Sequence, residues 1–540
     1  MTLTNEQENI INAKEYSFKI NAVAGSGKTT TLLEYAQKNS HLKILYLAYN
    51  KSLQTSLMNK LGDYNLSHMH VSTIHSLAYK RIQAHNYVLC SDLKMQVLEY
   101  NLCEYERKVN QKNSYYPIPE YLALIKDLVN FYCNSSIIAL NEALLKAYKQ
   151  QSDLGAKIIE LISKDESRVL AHLKYILSAM KNKKIEATHD FYLKMFYLNK
   201  SACSNLGYDL ILVDEAQDIS DVMIRIVENQ NVRRVYIGDS FQQIYSFRYA
   251  TNALAKIDLP SFTLSKSFRF GNEYAKTLAK SLNTLYKKCG SSSLYLEGTQ
   301  NETKIGEKYL DVNKPICVIA RTTFGLIQKI VHYIHDNKKI YFEGGYGGYS
   351  FMNPMVYSIF YLKQKKNDKI TLPEIKEFET IGELEEFAKD TKNQDYLNII
   401  KFINAYGDNI FEINKKIKNR LILDKNKADI IFTTTHKSKG LEYEQIILAD
   451  DFISKKEITN EKSKMSDMQK AEELNIYYVA ATRAKEVAVL ASLELNYVYK
   501  EEDNFEFKSK KTYKKTSSSK MKKMQEQWLS KNKTKKSDAF

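Results

Sequence analysis

The sequence predicts an α/β fold built on parallel strands, and three observations carry that expectation. A short stretch with apolar Phe18 and Ile20 leads through Asn21-Ala22-Val23-Ala24-Gly25-Ser26-Gly27-Lys28-Thr29-Thr30-Thr31 into Leu32-Leu33-Glu34-Tyr35-Ala36, which reads as strand, glycine-rich turn and helix. A second run, Leu210 to Val213, is wholly apolar and closes on Asp214 and Glu215, the pattern of a strand buried on both faces. Residues 85 to 205 are rich in Lys, Glu and Leu with helical periodicity and few glycines, so they read as a helical insertion. A chain of 540 residues is too long for one core, and two to four domains are expected.

The turn has the chemistry of a phosphate-binding loop. Gly25 and Gly27 permit backbone angles that let successive N–H groups converge on an anion, and the following helix points its positive end at the same place. In such a loop Lys28 reaches the β- and γ-phosphates, and the Thr29 hydroxyl completes a Mg²⁺ shell. Ala24, Gly25, Ser26, Gly27, Lys28, Thr29 and Thr30 are the expected nucleotide contacts. Ala22 stands where the usual G-x-x-x-x-G-K-T pattern has its first glycine, and it is small enough for the turn. Lys-Thr after the glycines argues against an ordinary Gly/Ser turn. The chain is expected to bind a nucleoside triphosphate.

Composition narrows the class. No apolar run approaches the roughly 18 residues that a membrane span requires, and Asn5 to Asn9 is polar where a signal peptide would be apolar. Six scattered cysteines form no C-x-x-C pair, which argues against zinc, Fe–S and disulfide frameworks. The pairs His68/His70 and His332/His335 read as structural. A cytoplasmic location is expected, or a nuclear one in a eukaryote. Net charge is +16, but Lys508 to Phe540 holds twelve lysines against Glu526 and Asp538, so most of the excess sits in a tail. A lysine- and serine-rich tail, residues 501–540, is expected to be disordered.

Taken in order, Leu3-Thr4-Asn5-Glu6-Gln7 reads as a capped helix start, and the Gln7 amide suits an adenine edge. Lys43 to Lys51 reads as a buried strand ending in a polar turn, and His70 to Ser76 as another strand and turn. At the end of the Leu210–Val213 run, Asp214 is expected to hold Mg²⁺ and Glu215 to act as general base for the attacking water. Arg234 to Arg248 opens as a strand and turns at Gly238-Asp239; Gln242 is placed to sense the γ-phosphate, while Tyr245 and Phe247 offer stacking faces. Leu264 to Phe270 sets Arg269 between two aromatics.

These segments, in this order, resemble the UvrD/Rep-type superfamily 1 DNA helicases. The likeness is nearest to the F-box DNA helicase branch, through Leu47-Ala48-Tyr49-Asn50-Lys51, Gln242-Gln243-Ile244-Tyr245-Ser246-Phe247-Arg248 and Ser267-Phe268-Arg269-Phe270-Gly271. No F-box is expected ahead of Met1. Thr433 to Tyr443 resembles the family motif that links nucleotide to DNA, and Tyr477 to Lys485 its arginine-finger motif.

The resemblance implies two RecA-like P-loop domains, with a helical insertion in the first and a small insertion in the second. On that pattern residues 1–84 and 206–261 form domain 1A, 85–205 the insertion 1B, 262–340 and 428–500 domain 2A, and 341–427 a reduced 2B. ATP would lie in the cleft between the RecA-like domains. It further implies Gln7 and Phe268 at adenine, where the family often sets an arginine at the position of Thr30. Glu442 would lie at the sugar, with Arg269 and Arg483 reaching the γ-phosphate. Single-stranded DNA would cross Tyr49, Asn50, His75, Tyr245, Phe247, Arg321 and His436. Ile74 and Phe247 stand where the family often has Phe and Trp.

Gly344-Gly345-Tyr346-Gly347-Gly348 packs four of the chain's 18 glycines into five positions and reads as a hinge or loop. Val487 to Leu493 reads as the last core strand. The basic tail, with Trp528 in a short amphipathic stretch, is a candidate polyanion tether or protein-docking element. The resulting expectation is an ATP- and Mg²⁺-dependent helicase moving 3′→5′ on single strands and unwinding duplex DNA, in repair, recombination or replication. Two alternatives are a DNA-stimulated ATPase subunit of a nuclease or phage-defence complex, and a nucleotide-controlled DNA-binding switch. Intact Glu215, Arg269 and Arg483 argue against the switch.

Overall fold

Apolar strand sequences and the need to cover both their faces account for the architecture. A computed structural model describes residues 3–490, apart from 65, 113, 152, 153, 335, 336 and 464. The basic tail with Trp528, and His335, lie outside the described residues.

The first sheet has six parallel strands in the order Met69–Ser72, Ile44–Leu47, Leu210–Val213, Arg233–Gly238, Phe18–Ala22 and Ser261–Leu264. Ile44–Leu47 and Leu210–Val213 are buried at every position, as strands packed on both faces must be. One face packs on Leu32, Leu33 and Ala36 of the loop helix, Lys28–Lys38; the other packs on Leu77, Phe196 and Val222. Ser261–Leu264 hydrogen-bonds onto Phe18–Ala22, so the expected boundary at residue 262 is corrected: the chain leaves the first sheet only after Leu264.

Between Met69–Ser72 and Leu210–Val213 the chain forms a helical body that includes Met95–Val109, Pro119–Asn134, Glu166–Lys181 and His189–Leu198. It has its own core, with Leu98, Ile125, Leu128, Leu173 and Ile176. Inside that body His172, fully buried, accepts from the Tyr121 hydroxyl at 2.8 Å and donates to Glu106 at 3.0 Å, while Arg168 pairs with Glu106 at 2.8 Å.

The second sheet is also six-stranded and parallel, in the order Lys304–Ile305, Ala484–Val489, Tyr443–Leu448, Ile316–Ala320, Ile430–Thr434 and Ile340–Phe342. The last core strand therefore begins earlier than its apolar run suggests, at Ala484, and ends at Val489. Residues 341–427 contribute the helices Pro354–Lys363, Ile381–Asp390, Gln394–Tyr406 and Asn409–Lys418. Val356, Ile359, Phe402 and Ile413 from these helices share one core with Val318, Phe342 and Phe432 of the strands. This segment is thus packed onto its sheet. Tyr346–Gly348 in the glycine run forms a short 3₁₀ turn, and the Lys437 ammonium donates to the Gly348 carbonyl at 2.6 Å. Among the described residues, no helix is long and apolar enough to cross a membrane.

Candidate nucleotide cleft and nucleic-acid track

The loop Val23–Gly27 leaves the C-terminal end of Phe18–Ala22 and passes into helix Lys28–Lys38. Gly25 and Gly27 have φ of +73° and +78°, left-handed values that glycine adopts without strain. A Cβ at Gly25 would lie 2.8 Å from Ser267 Oγ and 2.9 Å from Arg269 Cβ, so the loop is sealed on one side by Lys266–Gly271. The Phe268 N–H donates to the Gly25 carbonyl at 2.8 Å. A Cβ at Gly27 would meet Gln7 Nε2 at 3.0 Å and Phe268 at 3.6 Å, which brings those two side chains to the same end of the loop. Gln7 is already engaged there: its oxygen accepts the Thr4 N–H at 3.0 Å and its amide donates to Thr31 at 3.1 Å.

Asp214 and Glu215 sit at the mouth of Leu210–Val213, facing the loop. Lys28 Nζ lies 3.7 Å from Glu215 Oε1. Glu215 has φ of +51°, an unfavourable value for a residue with a side chain, of the kind that concentrates at functional sites. The Tyr46 hydroxyl donates to Asp214 at 2.7 Å and also meets the Thr29 hydroxyl, so Asp214 and Thr29 share one neighbour. Burial, and then the Glu215 charge, raises the Asp214 carboxyl to about 6. Burial also acts to raise Glu215, but Lys28, Lys439, the Gln217 amide and Arg483 outweigh it and hold that carboxyl below its usual range. Glu215 is thus ionised at neutral pH. The donor set of Asp214 carboxylate and Thr29 hydroxyl is all oxygen, which suits a hard cation such as Mg²⁺ that keeps waters and phosphate oxygens in its shell. Among the described residues, no group of three or more His, Cys, Asp and Glu side chains forms a self-sufficient metal site.

A second set of buried groups wires this mouth together. Gln217 donates to Glu215 at 2.6 Å and to Asp218 at 3.1 Å, and accepts the Asp239 N–H at 3.0 Å. Gln242 donates to Asp239 at 2.8 Å. The Tyr478 hydroxyl accepts the Ala24 N–H and donates to Asp239, both at 3.1 Å, which ties the second domain to loop and strand end at one atom. Lys439 forms an ion pair with Asp218 and donates to the Gln242 carbonyl at 2.6 Å. Burial still lifts Asp218 to about 7 against the pull of that ammonium.

The cations opposite come from the second domain and from Lys266–Gly271. Arg483 is 1% exposed. Its guanidinium donates to the Val479 carbonyl at 2.7 Å, the Leu441 carbonyl at 3.0 Å and the Thr482 hydroxyl at 3.1 Å, with no carboxylate partner among the described residues. Burial, with the Arg269 charge nearby, brings it down to about 9. Arg269 donates to Glu442 at 3.1 Å and to the Thr482 carbonyl at 2.8 Å. Arg269, Glu442 and Arg483 therefore meet around Thr482.

On the other side of Lys439 lies a cluster of rings. Tyr49 stacks on Tyr245 with centroids 6.0 Å apart and planes at 22°. Tyr245 and Phe247 each approach His436, both at 5.7 Å, and Lys439 Nζ lies 5.0 Å over the Tyr245 ring. Phe247 is 63% exposed, so much of its ring is open to a stacking partner. Burial lowers His436 to about 4, so its ring is neutral and its Nε2–H donates to the Ile244 carbonyl at 3.1 Å. Asn50, at the end of the Ile44–Leu47 strand, is exposed and caps the next helix through the Leu53 N–H at 2.9 Å. His75 is held by Asp190 at 3.1 Å, and Arg321 makes a bidentate pair with Glu473 at 2.7 and 2.9 Å. The first four rings are thus brought together, whereas His75 and Arg321 are each committed to a carboxylate of their own.

Gln217, Asp218, Asp239, Lys439 and Tyr478 are the groups sequence reasoning did not single out. All five lie inside segments whose pattern drew notice, but their importance rests on pairings across the cleft.

Residues 3–257 match the UvrD/REP helicase N-terminal domain. The chain is similar to "F-box DNA helicase 1" of Gallus gallus, at 29% identity over 91% of this chain and 49% of that protein. It is also similar to "F-box DNA helicase protein 1" of Schizosaccharomyces pombe, at 28% identity over 90% of this chain and 57% of that protein. The chain spans about half the length of the curated relatives it matches. With a phosphate loop, an acidic strand end and a buried arginine meeting between two parallel sheets, the chain is similar to the UvrD/Rep-type superfamily 1 helicases, and its residues 3–257 carry the match to their N-terminal domain.

Proposed function

We propose that the protein is an ATP-driven DNA helicase that translocates 3′→5′ on single strands and unwinds duplex DNA, in repair, recombination or replication. The observation that carries this reading is Arg483, a buried guanidinium without a carboxylate partner among the described residues, in a cleft whose other wall holds the phosphate loop and ionised Glu215. Guanidinium charge cannot be shed at neutral pH, and a desolvated cation of this kind is best matched by an anion entering the cleft. The γ-phosphate of ATP is that anion in this reading.

Lys28 and the loop N–H groups bind the phosphates, and Gln7 with Phe268 borders the base. Asp214 and Thr29 would hold Mg²⁺, which neutralises charge on the β- and γ-oxygens when bound. Glu215 orients the attacking water and accepts its proton. Gln242 hears the γ-phosphate through Asp239. Arg269 and Arg483 stabilise the charge of the transition state, so they couple cleft closure to hydrolysis. Lys439 links Asp218, beside the catalytic carboxylate, to Tyr245 of the ring cluster. Motion at the nucleotide is thereby passed to the rings that grip bases. The 3′→5′ polarity rests on family resemblance.

A second reading, a DNA-stimulated ATPase of a nuclease or defence complex without autonomous unwinding, is favoured by one observation. Residues 341–427 share a core with the second sheet and so lack the look of an independent regulatory lobe. Strand displacement on duplexes with either a 3′ or a 5′ single-stranded tail separates the two. Unwinding of the 3′-tailed substrate alone, lost in Glu215→Gln, is expected. DNA-stimulated ATP turnover without displacement of either substrate would favour the second reading.

A further inference from the structure

The nucleotide and the rings use the C-terminal ends of the strands, where Ala320 leads to Arg321, and Thr434 to Thr435 and His436. The opposite end of the second sheet carries a different site. There the chain entering Ile340–Phe342 and the chain leaving helix Asn409–Lys418 line an open, shallow pocket of about 460 Å³. Lys338, Lys339, Lys416 and Arg420 line it, together with Asn337 and Asn419. The rest of its lining is aliphatic, with no aromatic ring among the described residues.

Its two walls are pinned by main-chain bonds. The Ile340 N–H donates to the Arg420 carbonyl and the Ile422 N–H to the Ile340 carbonyl, both at 2.9 Å. Local charge explains part of the lysine content, because cations in the last turn of a helix offset its dipole and Lys416 pairs with Glu412 at 2.8 Å. It does not explain Arg420. One guanidinium nitrogen, Nη2, donates to Asn337 at 3.3 Å, whereas Nη1 is buried without a hydrogen-bond partner among the described residues. An arginine keeps its charge at neutral pH, and since Nη1 has no accessible surface the charge is offered to the pocket through the exposed Nη2 side. Asp429, a described acid at this strand end, accepts the main-chain N–H of Lys339 at 2.7 Å. Among the described residues no carboxylate forms an ion pair with Lys338, Lys339 or Arg420.

We propose that this pocket is a second phosphate-binding site, which takes the phosphodiester backbone of DNA beyond the single-strand track. The inference rests on the DNA-translocation reading above. Fork-shaped guanidinium, ammonium and amide donors match phosphate oxygens, and aliphatic side chains suit sugar. With no ring to stack a base, the site is indifferent to sequence. Its place at the far end of the sheet from Tyr245 and Phe247 means that a strand filling only the ring track would not reach it. Duplex or displaced strand at a fork would.

The test is the salt dependence of binding by the full chain, read by fluorescence anisotropy on two DNAs. One is a single strand just long enough for the track; the other is a fork. For the Lys338→Ala/Arg420→Gln double variant, the slope of log K against log salt on the fork should fall by about two, one per lost phosphate contact. Binding of the short strand, and ATP turnover stimulated by it, should match wild type. Lys339→Ala, at an exposed position that folding does not depend on, should lower the fork slope by about one. Unchanged fork slopes in both variants would overturn the inference while leaving the track intact. Failure of the wild type to bind even the short strand would instead sink the DNA reading itself.

Discussion

The two walls of the cleft are built from opposite charge. The first domain supplies Asp214, Glu215, Asp218 and Asp239, all at the ends of adjacent strands and all substantially buried. The facing wall supplies Arg269, Lys439 and Arg483. Lys439 has a carboxylate waiting across the gap, whereas among the described residues Arg483 has only main-chain carbonyls and a hydroxyl. The difference separates two tasks. Lys439 fastens the two walls to each other, whereas in the proposed reading Arg483 is matched by the γ-phosphate.

Removing each cation in turn should break that comparison in different ways. Arg483→Ala should lower kcat for ATP about 10³-fold or more while nucleotide affinity changes little, since its contribution is to the transition state. Stopped-flow binding and steady-state turnover measure the two separately. Equal losses in affinity and kcat would return Arg483 to a merely structural role. Lys439→Ala leaves Asp218 buried and unpaired and should cost about 3 kcal/mol of stability. Adding Asp218→Asn should recover most of that loss in a double-mutant cycle, whereas additive losses would show that the pair is not coupled.

The helical insertion offers a contrast with the cleft, because its buried charge network is complete within itself. Burial lowers His172 to about 4. The unfolded chain takes up that proton near 6.5 and the folded chain only near 4, so the stability due to neutral His172 is present above pH 6.5 and is lost as pH falls. The loss amounts to up to about 3 kcal/mol across that window. Melting followed from pH 7 to 4 should show it, with a flatter profile in His172→Gln; an unchanged profile would remove His172 from the acid response. The smallest effect is expected at the exposed ring. Phe247→Ala should weaken single-strand affinity about tenfold and spare ATP turnover measured without DNA. Unaltered DNA affinity would leave Phe247 as surface.

Much of the nucleotide side was legible in the sequence because its chemistry is contiguous. Ala24 to Thr30 lie in one loop, and Asp214 to Asp218 at one strand end, so local pattern suffices. What escaped is long-range. Asp218 and Lys439 are 221 positions apart, and Asp239 and Tyr478 are 239 apart. No local period marks such partners; only the folded cleft makes them neighbours. Arg321 illustrates the same limit from the other side, since its bidentate pairing with Glu473 is invisible in the strand that presents it. The resemblance and the place of residues 341–427 between the motif segments set them apart as an insertion. Their apolar faces cannot say which surface they cover, and in the structure they cover their own sheet.

The most direct test of the paired walls is steady-state ATP turnover with and without single-stranded DNA, in wild type and Glu215→Gln. Strong stimulation by DNA in the wild type, abolished in the variant, is the expected result. Turnover that ignores DNA, or that survives loss of the Glu215 carboxylate, would contradict a cleft whose chemistry is gated by the strand on its rings.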